Sequence, residues 1–183
     1  MSEVLQAPGG GKLSDEIAFR PLRVAILTVS DSRDEESDTS GRLLAGRVAR
    51  DGHVLAGRAM VRDDVAQIQA QLRSWIADPD VEVVVSTGGT GLTGRDVTPE
   101  AARPLFDKAI EGFETVWHMI SFQSVGLSTM QSRACAGLAK GTLIFCLPGW
   151  VWDGGRFPLA ANWPGVDGQP GFCVLEVVVE HDG

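Results

Sequence analysis

The chain has 183 residues, a formal net charge of −8 and 44% hydrophobic residues, which is the size and composition of one globular domain. No apolar run approaches the ~18 residues that a membrane-spanning helix needs, and the acidic balance argues against general binding to nucleic acid. The three cysteines (Cys135, Cys146 and Cys173) have neither a disulfide-framework nor a zinc-ligand spacing, and they fit a reducing cytoplasm.

Residues 1–20 are predicted to form a flexible leader. Met1–Lys12 is polar and rich in glycine, without the cationic start and the apolar centre of a secretory signal. The run Pro8-Gly9-Gly10-Gly11 disfavours any regular structure.

The next part of the chain predicts a strand, a helix and a second strand. Arg23–Val29 is a continuous apolar run, as expected of a strand buried on both faces. Thr39 or Ser40 can cap a helix that runs to about Arg50. His53–Val61 is the second strand candidate.

A second helix and a third strand follow. Asp64 and Gln67 have the spacing of a capping box at the start of a helix. The strand Val81–Val85 is rich in β-branched residues and leads directly into the glycine-rich run Thr87–Gly91, called the glycine loop below.

The region after the glycine loop predicts more helix and a last strand. Thr98 is expected as the cap of a helix with Pro99 at its first position, and helical segments are predicted over Pro99–Ala109 and Phe113–Phe122. Thr142–Leu147 is the fourth buried strand. This alternation of strands and helices predicts an α/β sandwich around a mostly parallel sheet.

The glycine loop is the strongest candidate for a binding site. Ligands of open α/β sheets lie beyond the carboxyl ends of the strands, and residues without a Cβ let backbone N–H groups approach an anion. The residues expected to contact a phosphate here are Thr87, Gly88, Gly89, Thr90 and Gly91. The alternative is a glycine-rich turn that binds nothing.

Two charged residues follow this loop. Arg95 is placed to pair with a phosphate, and Asp96 is placed to hold Mg²⁺ against phosphate oxygens near the start of the predicted helix. The helix start would add the positive end of its dipole. Alternatively, Asp96 serves only as a helix cap.

Two further strand ends carry polar residues that would reach the same edge of the sheet. After the first strand, Ser30, Asp31 and Arg33 are candidate ligands for a phosphate or a pterin-like molecule, or else a simple turn. After the second strand, Asp63 and Asp64 are adjacent, and a single acid suffices as a helix cap. If Asp63 converged with Asp96, the two carboxylates would make a Mg²⁺ site.

Weaker candidates lie later in the chain. Ser132 and Arg133 offer a hydroxyl and a cation, although Arg133 is equally well explained as a surface charge. Pro148-Gly149 is first of all a turn after the last strand. The isolated residues His53 and His118 are interpreted as structural.

Taken together and in order, these stretches resemble the MoaB/MogA family of molybdenum cofactor biosynthesis, MoaB more than MogA. The resemblance covers about residues 20–149. It rests on the following stretches: Ala25–Arg33, Asp38–Gly41, Ser86–Ala101, Leu105–Gly137 and Thr142–Gly149.

The resemblance implies a three-layer α/β/α sandwich and a binding site for molybdopterin, the dithiolene pterin phosphate. It further implies adenylylation of molybdopterin with Mg-ATP, giving adenylyl-molybdopterin and pyrophosphate, with Mg²⁺ as cofactor. Asp63 and Asp96 match the two functional acids of the family. The implied partners are molybdopterin, ATP, further copies of the chain in a trimer or hexamer, and other molybdenum cofactor biosynthesis proteins, with neither nucleic acid nor membrane.

Because both acids are present, the sequence predicts an active adenylyltransferase. Two other hypotheses stay open: a non-catalytic molybdopterin-binding or carrier protein, and a different Mg²⁺-dependent phosphate-binding protein on the same scaffold.

Residues 150–183 differ in composition from the rest of the chain. They contain three of the five tryptophans, three of the nine prolines, five acidic residues and one basic residue. They show no helical period of apolar residues, although the family continues here with an amphipathic helix. The sequence therefore predicts a molybdopterin-binding domain at residues 21–149 and an atypical tail, which we interpret as a frame-shifted C-terminus.

Overall fold

A six-stranded sheet forms the centre of the computed structural model, which describes residues 20–149 together with the backbones of residues 156–164 and 170–178. The strands are β1 Arg23–Val29, β2 Val54–Val61, β3 Val83–Thr87, β4 Lys108–Ala109, β5 Cys135–Ala139 and β6 Thr142–Leu147. Their order across the sheet is β2-β1-β3-β6-β5-β4.

The sheet is mixed, with its parallel part on one side. β2, β1, β3 and β6 run parallel to one another, whereas β5 and β4 are antiparallel neighbours at the other edge. α1 Thr39–Arg50 connects β1 to β2 and α2 Val65–Ile76 connects β2 to β3, as parallel crossovers require. α3 Thr98–Ala102 follows β3, and α4 Glu111–Val125 connects β4 to β5. The predicted α/β class is confirmed.

The sheet is buried on both faces, which makes the domain three-layered. On one face, Leu44 and Val48 of α1 and Phe113 and Trp117 of α4 pack on the strands. On the other face, α2 and α3 supply a second core whose helical members are Ile68, Leu72, Trp75, Ala101 and Ala102. Every residue of β3 is buried, since helices cover both faces of the sheet. This explains why most of the β3 sequence is apolar.

The cap of α1 differs from the prediction. Neither Thr39 nor Ser40 caps the helix; Asp38 does, and its Oδ1 accepts the amide N–H of Gly41 at 2.8 Å. At α2 the predicted cap is confirmed, since Asp64 Oδ1 accepts the amide of Gln67 at 2.8 Å.

The helix predicted over Pro99–Ala109 is wrong in its extent. It ends at Ala102, continues as a short 3-10 turn over Arg103–Leu105, and gives way to β4. Pro104 has no N–H to continue the helix. Phe106 is extended and packs so closely on Gly137 that a Cβ at Gly137 would lie 2.2 Å from its ring.

Other boundaries also differ from the prediction, and β2 begins at Val54 rather than at His53. β3 begins at Val83 and extends to Thr87, and α4 extends at both ends beyond the predicted Phe113–Phe122. The strand β5 was missed, because its sequence CAGLA contains none of the β-branched residues that signal a strand.

The tail and the leader lie mostly outside the described residues. Within the tail, the backbones of β7 Arg156–Pro164 and β8 Pro170–Val178 pair as an antiparallel two-stranded sheet. The leader 1–19 and residues 150–155, 165–169 and 179–183 are not described. The frame-shift interpretation stays a prediction. Among the described residues, no helix is both long and apolar enough to cross a membrane.

Candidate functional site

Four parallel strands end at one edge of the sheet, and the predicted site residues follow them. The ends are Val29, Val61, Thr87 and Leu147. Two backbone hydrogen bonds join neighbouring strand ends: Ser30 N donates to Val61 O at 3.0 Å, and Gly88 N donates to Leu147 O at 3.0 Å. The segments expected to form one site therefore do meet.

The glycine loop makes a close turn that side chains would block. Gly88 and Gly89 have φ values of +104° and +64°, which L-residues with a side chain rarely adopt. A Cβ on Gly89 would lie 2.4 Å from Thr98 Oγ1 and 2.7 Å from Asp63 Oδ1. The loop thus passes directly over Asp63.

Some amides expected to bind an anion are already used. Gly88 N–H is bonded to β6 as described, and Thr98 N–H donates to Gly89 O at 2.9 Å. Within the described part of the chain, the amides of Gly89, Thr90 and Gly91 have no acceptor. These three are the donors left for a ligand.

Thr98 does not cap α3, contrary to the prediction. α3 begins after Val97, which makes no side-chain cap, and the Thr98 hydroxyl donates to Gly88 O at 2.9 Å instead. The helix has only five residues, so the expected contribution of its dipole is small.

Arg133 holds the glycine loop from behind. Its Nε donates to Gly91 O at 2.8 Å, its Nη2 to Asp96 O at 2.7 Å, and its Nη1 pairs with Glu100. Its own amide donates to Thr90 O at 2.9 Å. Arg133 is therefore neither a free surface charge nor an open anion ligand in this structure; it positions the loop.

Asp96 is held by a turn rather than by a helix start. One carboxylate oxygen, Oδ2, accepts the amide of Thr93 at 3.0 Å and also the Thr93 hydroxyl. The same carboxylate lies against Gly91, where a Cβ would be 2.9 Å from Oδ2. The turn fixes Asp96 beside the glycine loop.

The carboxylate of Asp63 lies near two other acids at this edge of the sheet. Burial raises the pKa of Asp63, and the neighbouring negative charges of Asp31 and Asp96 raise it further. Arg95 opposes this shift, since its guanidinium pairs with Asp31, with Nε donating to Oδ2 at 2.6 Å. Asp31 and Asp96 thus lie close enough to Asp63 to raise its pKa, and Arg95 lies on the carboxylate of Asp31.

The donor set fits a hard cation held jointly with a phosphate. No group of three or more His, Cys, Asp and Glu side chains among the described residues is arranged to hold a metal alone. Mg²⁺, however, commonly takes one or two carboxylates and completes its shell with water and substrate phosphate. After burial, the charges of Asp31 and Asp96 contribute to the raised pKa of Asp63, and a bound cation would offset this repulsion.

The remaining predicted residues surround this centre. Ser30 Oγ accepts the amides of Ser32 and Arg33 in a turn, at 3.4 and 3.3 Å. Arg33 Nη1 donates to Ser40 Oγ at 3.1 Å, and that hydroxyl contacts Gly149 O at 3.4 Å. Arg33 is thereby placed at the start of α1, next to the turn after β6.

Pro148 and Gly149 lie against the start of the glycine loop. Thr87 Oγ1 donates to Pro148 O at 3.2 Å. A Cβ on Gly149 would lie 3.0 Å from the Cα of Gly88, so the two turns touch. Ser132 has a buried hydroxyl for which the described residues offer no partner.

Sequence reasoning missed one acid, Asp38. Its side chain is 1% exposed and accepts hydrogen bonds from Gly41 N, from Thr28 Oγ1 at 2.9 Å and from Arg58 Nη2 at 2.6 Å. Burial opposes ionisation, but these donors together lower the pKa of Asp38. The clue in the sequence was the acid placed directly before a helix.

Comparison with known proteins gives the family. The family model described as "Probable molybdopterin binding domain" matches residues 25–151. The chain belongs to the MoaB/MogA family of molybdenum cofactor biosynthesis. Molybdenum cofactor biosynthesis protein B of Escherichia coli (strain K12) is 53% identical over 131 residues, which cover 72% of this chain and 77% of that protein.

Solved structures of MoaB proteins have the same fold. The crystal structure of a molybdenum cofactor biosynthesis protein B is 41% identical, with a TM-score of 0.70 over 73% of this chain and 84% of that one. The tungsten cofactor synthesizing protein MoaB of Pyrococcus furiosus is 35% identical, with a TM-score of 0.64 over 73% and 85%. The chain is therefore a molybdenum cofactor biosynthesis protein with a molybdopterin-binding domain.

Proposed function

We propose that this MoaB-family chain adenylylates molybdopterin with Mg-ATP. The observation that supports this most is the convergence of Asp31, Asp63 and Asp96 beside the free amides of the glycine loop. Carboxylates for a cation and amides for phosphate oxygens are the two components that nucleotidyl transfer needs.

In the proposed reaction, an oxygen of the terminal phosphate of molybdopterin attacks the α-phosphorus of ATP. The bond between the α-phosphorus and the bridging oxygen breaks, and pyrophosphate leaves. No protein nucleophile is required, so the chain contributes by positioning and by charge stabilisation. The amides of Gly89, Thr90 and Gly91 would hold phosphate oxygens.

Asp63 and the free Oδ1 of Asp96 would hold Mg²⁺ at the loop. Bound Mg²⁺ supplies charge neutralisation at the α-phosphate and at the departing pyrophosphate. Arg95 would leave Asp31 to pair with a phosphate, and the exchange is small in energy because its side chain is 74% exposed. Arg133 keeps the loop amides in place throughout.

The test is incubation of the protein with molybdopterin and Mg-ATP, with pyrophosphate and adenylyl-molybdopterin measured together. Asp96→Asn is expected to abolish turnover while molybdopterin affinity changes little, because Asn can still accept the bonds from Thr93. Unchanged turnover in this variant would refute the role of Asp96.

The same assay separates the two alternatives. Bound molybdopterin without product in the wild-type chain identifies a carrier protein. A shift in melting temperature with nucleotide and none with molybdopterin identifies another phosphate-binding activity.

We also propose that the chain self-associates as a trimer or hexamer. α4 packs one side on the sheet, yet its other side and the 3-10 turn after it expose large apolar residues: Val116, Met119, Phe122, Val125, Leu127 and Met130. Residues 115–132 carry no Asp, Glu, Lys or Arg. A helix that is apolar around its circumference normally is covered.

Light scattering after size-exclusion chromatography tests this association. Met119→Glu combined with Phe122→Glu is expected to give monomers, because charge in a buried contact is costly. The matched control is Val54→Glu on the edge strand β2, where the side chain is 51% exposed, and it should leave the assembly intact. A wild-type monomer would contradict the proposal.

A further inference from the structure

Two cysteines face each other inside the sheet and have no role in the function proposed above. Cys135 opens β5, and Cys146 is its directly opposite partner in the antiparallel strand β6. Both belong to the core on the α2–α3 face, with exposures of 3% and 0%. Opposed residues of antiparallel strands have Cα atoms about 4.5 or 5.5 Å apart. Both spacings fall within the range that a disulfide spans.

The two thiols already interact. A hydrogen bond from the Cys146 thiol lowers the pKa of Cys135, and the nearby guanidinium of Arg103 lowers it further, while burial opposes both. The same contact and complete burial raise the pKa of Cys146. Cys135 is therefore the more acidic of the two thiols, which assigns it as the attacking cysteine and Cys146 as the resolving one.

Arg103 connects this pair to the surface. Its side chain is 50% exposed and pairs with Glu114 at 3.3 Å. Arg103 and Glu114 border a surface groove of about 350 Å³. The residues that line it are Pro99, Glu100, Arg103, Pro104, Glu114 and Arg133. Arg103 therefore lies both at this surface groove and close enough to Cys135 to lower its pKa.

We propose that Cys135 and Cys146 form a reversible disulfide on reaction with hydrogen peroxide. The Cys135 thiolate attacks one peroxide oxygen, the O–O bond breaks, and the released hydroxide takes up the proton that Cys135 lost on ionising and becomes water. The sulfur of Cys146 then attacks the resulting sulfenic acid; the S–O bond breaks, and a second water leaves with the Cys146 proton. Two thiols lose two electrons, and one peroxide is reduced to two waters.

This modification would act on the binding site through the two strands. Arg133, which holds the glycine loop, lies two residues before Cys135, and Gly149, which contacts Gly88, lies three residues after Cys146. A bond between β5 and β6 would tie these two supports of the loop to each other covalently. Oxidation is thus expected to stiffen the part of the sheet that carries the loop, and reduction to release it.

The experiment uses the full chain with Cys173→Ser, so that the two opposed cysteines are the only thiols. After peroxide treatment of the folded protein, we expect the loss of both titratable thiols and of two hydrogen atoms in the intact mass. Peptide mapping should show a Cys135–Cys146 link within one chain, and dithiothreitol should reverse it. None of these readouts requires ATP or molybdopterin, so they are independent of the adenylylation proposal.

Two matched variants separate the roles of the sulfurs. Cys146→Ser should stop at a sulfenic acid on Cys135 that dimedone traps, whereas Cys135→Ser should leave Cys146 reduced. The proposal is overturned if both thiols survive peroxide, if the link joins different chains, or if Cys135 passes to sulfinic acid without forming the disulfide. Equal oxidation rates in the two variants would overturn the assignment of Cys135 as the attacking residue.

Discussion

Asp38 and Asp63 are the same residue type in two nearby parts of one domain, and their pKa values move in opposite directions. Asp38 is more deeply buried, yet a guanidinium, a hydroxyl and an amide stabilise its charge and lower its pKa. The pKa of Asp63 is raised by burial and by the negative charges of two further carboxylates. The difference shows that the neighbours of a carboxylate, more than its depth, separate a structural acid from one suited to bind a cation.

The largest expected effect is on catalysis, at Asp63. Asp63→Asn should lower adenylyl transfer about 1000-fold, or about 4 kcal/mol, because the cation loses a charged ligand. The free energy of unfolding should stay equal or rise, since a repulsive charge is removed. The neighbouring Asp64→Asn is the control: Asn still caps α2, so turnover should persist. A stable, fully active Asp63→Asn chain would contradict the assignment of Asp63 as the cation-binding acid and Asp38 as the structural one.

At Asp38 we expect the reverse, a large loss of stability with little loss of turnover. Asp38→Asn should cost about 3 kcal/mol in the free energy of unfolding, since it leaves Arg58 without its buried partner. Chemical denaturation measures this loss, and Asp80→Asn, whose side chain is 80% exposed, serves as the control. At temperatures where the variant is folded, its turnover should stay within a few-fold of the wild type. A stable variant with no turnover would make Asp38 a functional acid.

Two glycines of α1 offer a more local test of the Asp38 cluster. A Cβ on Gly41 would lie 2.2 Å from Asp38 Oδ2 and 2.5 Å from Thr28 Oγ1, whereas nothing lies within 4 Å of a Cβ on Gly46. Gly41→Ala should therefore destabilise the protein by about 2 kcal/mol. Gly46→Ala should stabilise it by up to ~1 kcal/mol through helix propensity. Equal effects of the two substitutions would show that the cluster is loosely packed.

The smallest expected effect is in the pH dependence of stability. The folded pKa of Asp63 lies above its unfolded value, so its contribution is favourable at low pH and is lost as pH rises from about 4 through the folded pKa. The folded pKa of Asp38 is lower than its unfolded value, so its contribution exists above about 4 and is lost as pH falls further. Urea unfolding from pH 3 to 7 measures the contributions of both residues to the free energy of unfolding.

The variants Asp63→Asn and Asp38→Asn separate the two contributions to the pH dependence of the free energy of unfolding. Relative to the wild type, Asp63→Asn should gain stability as pH rises toward neutrality, because the wild type alone loses stability there. The deficit of Asp38→Asn should shrink as the pH is lowered below about 4. Slopes of the same sign for both variants would contradict the opposite shifts.

The parallel half of the fold and the glycine loop were predictable, because their signals are local. Arg23–Val29 was placed with its bounds, since a continuous apolar run between polar turns has one interpretation. The antiparallel edge was less predictable: β5 is made of small residues whose place is decided by packing, with Phe106 filling the space over Gly137.

In the site, the chemistry of the residues was easier to predict than their partners. The meeting of Asp63 with the glycine loop follows from strand order. The support from Arg133 and the role of Asp38 depend on contacts between residues that are distant in sequence, 42 positions for Arg133 and Gly91 and 20 for Arg58 and Asp38. Neither spacing leaves a periodic signal in the chain.

The contact between Gly149 and Gly88 has a consequence for how this family can diverge. Among the described residues it is the last contact along the chain of those that shape the site, and the change in composition starts at the following residue, Trp150. A Cβ at Gly149 would press on the Cα of Gly88. This position is therefore expected to stay a glycine as the family diverges, whatever sequence follows it.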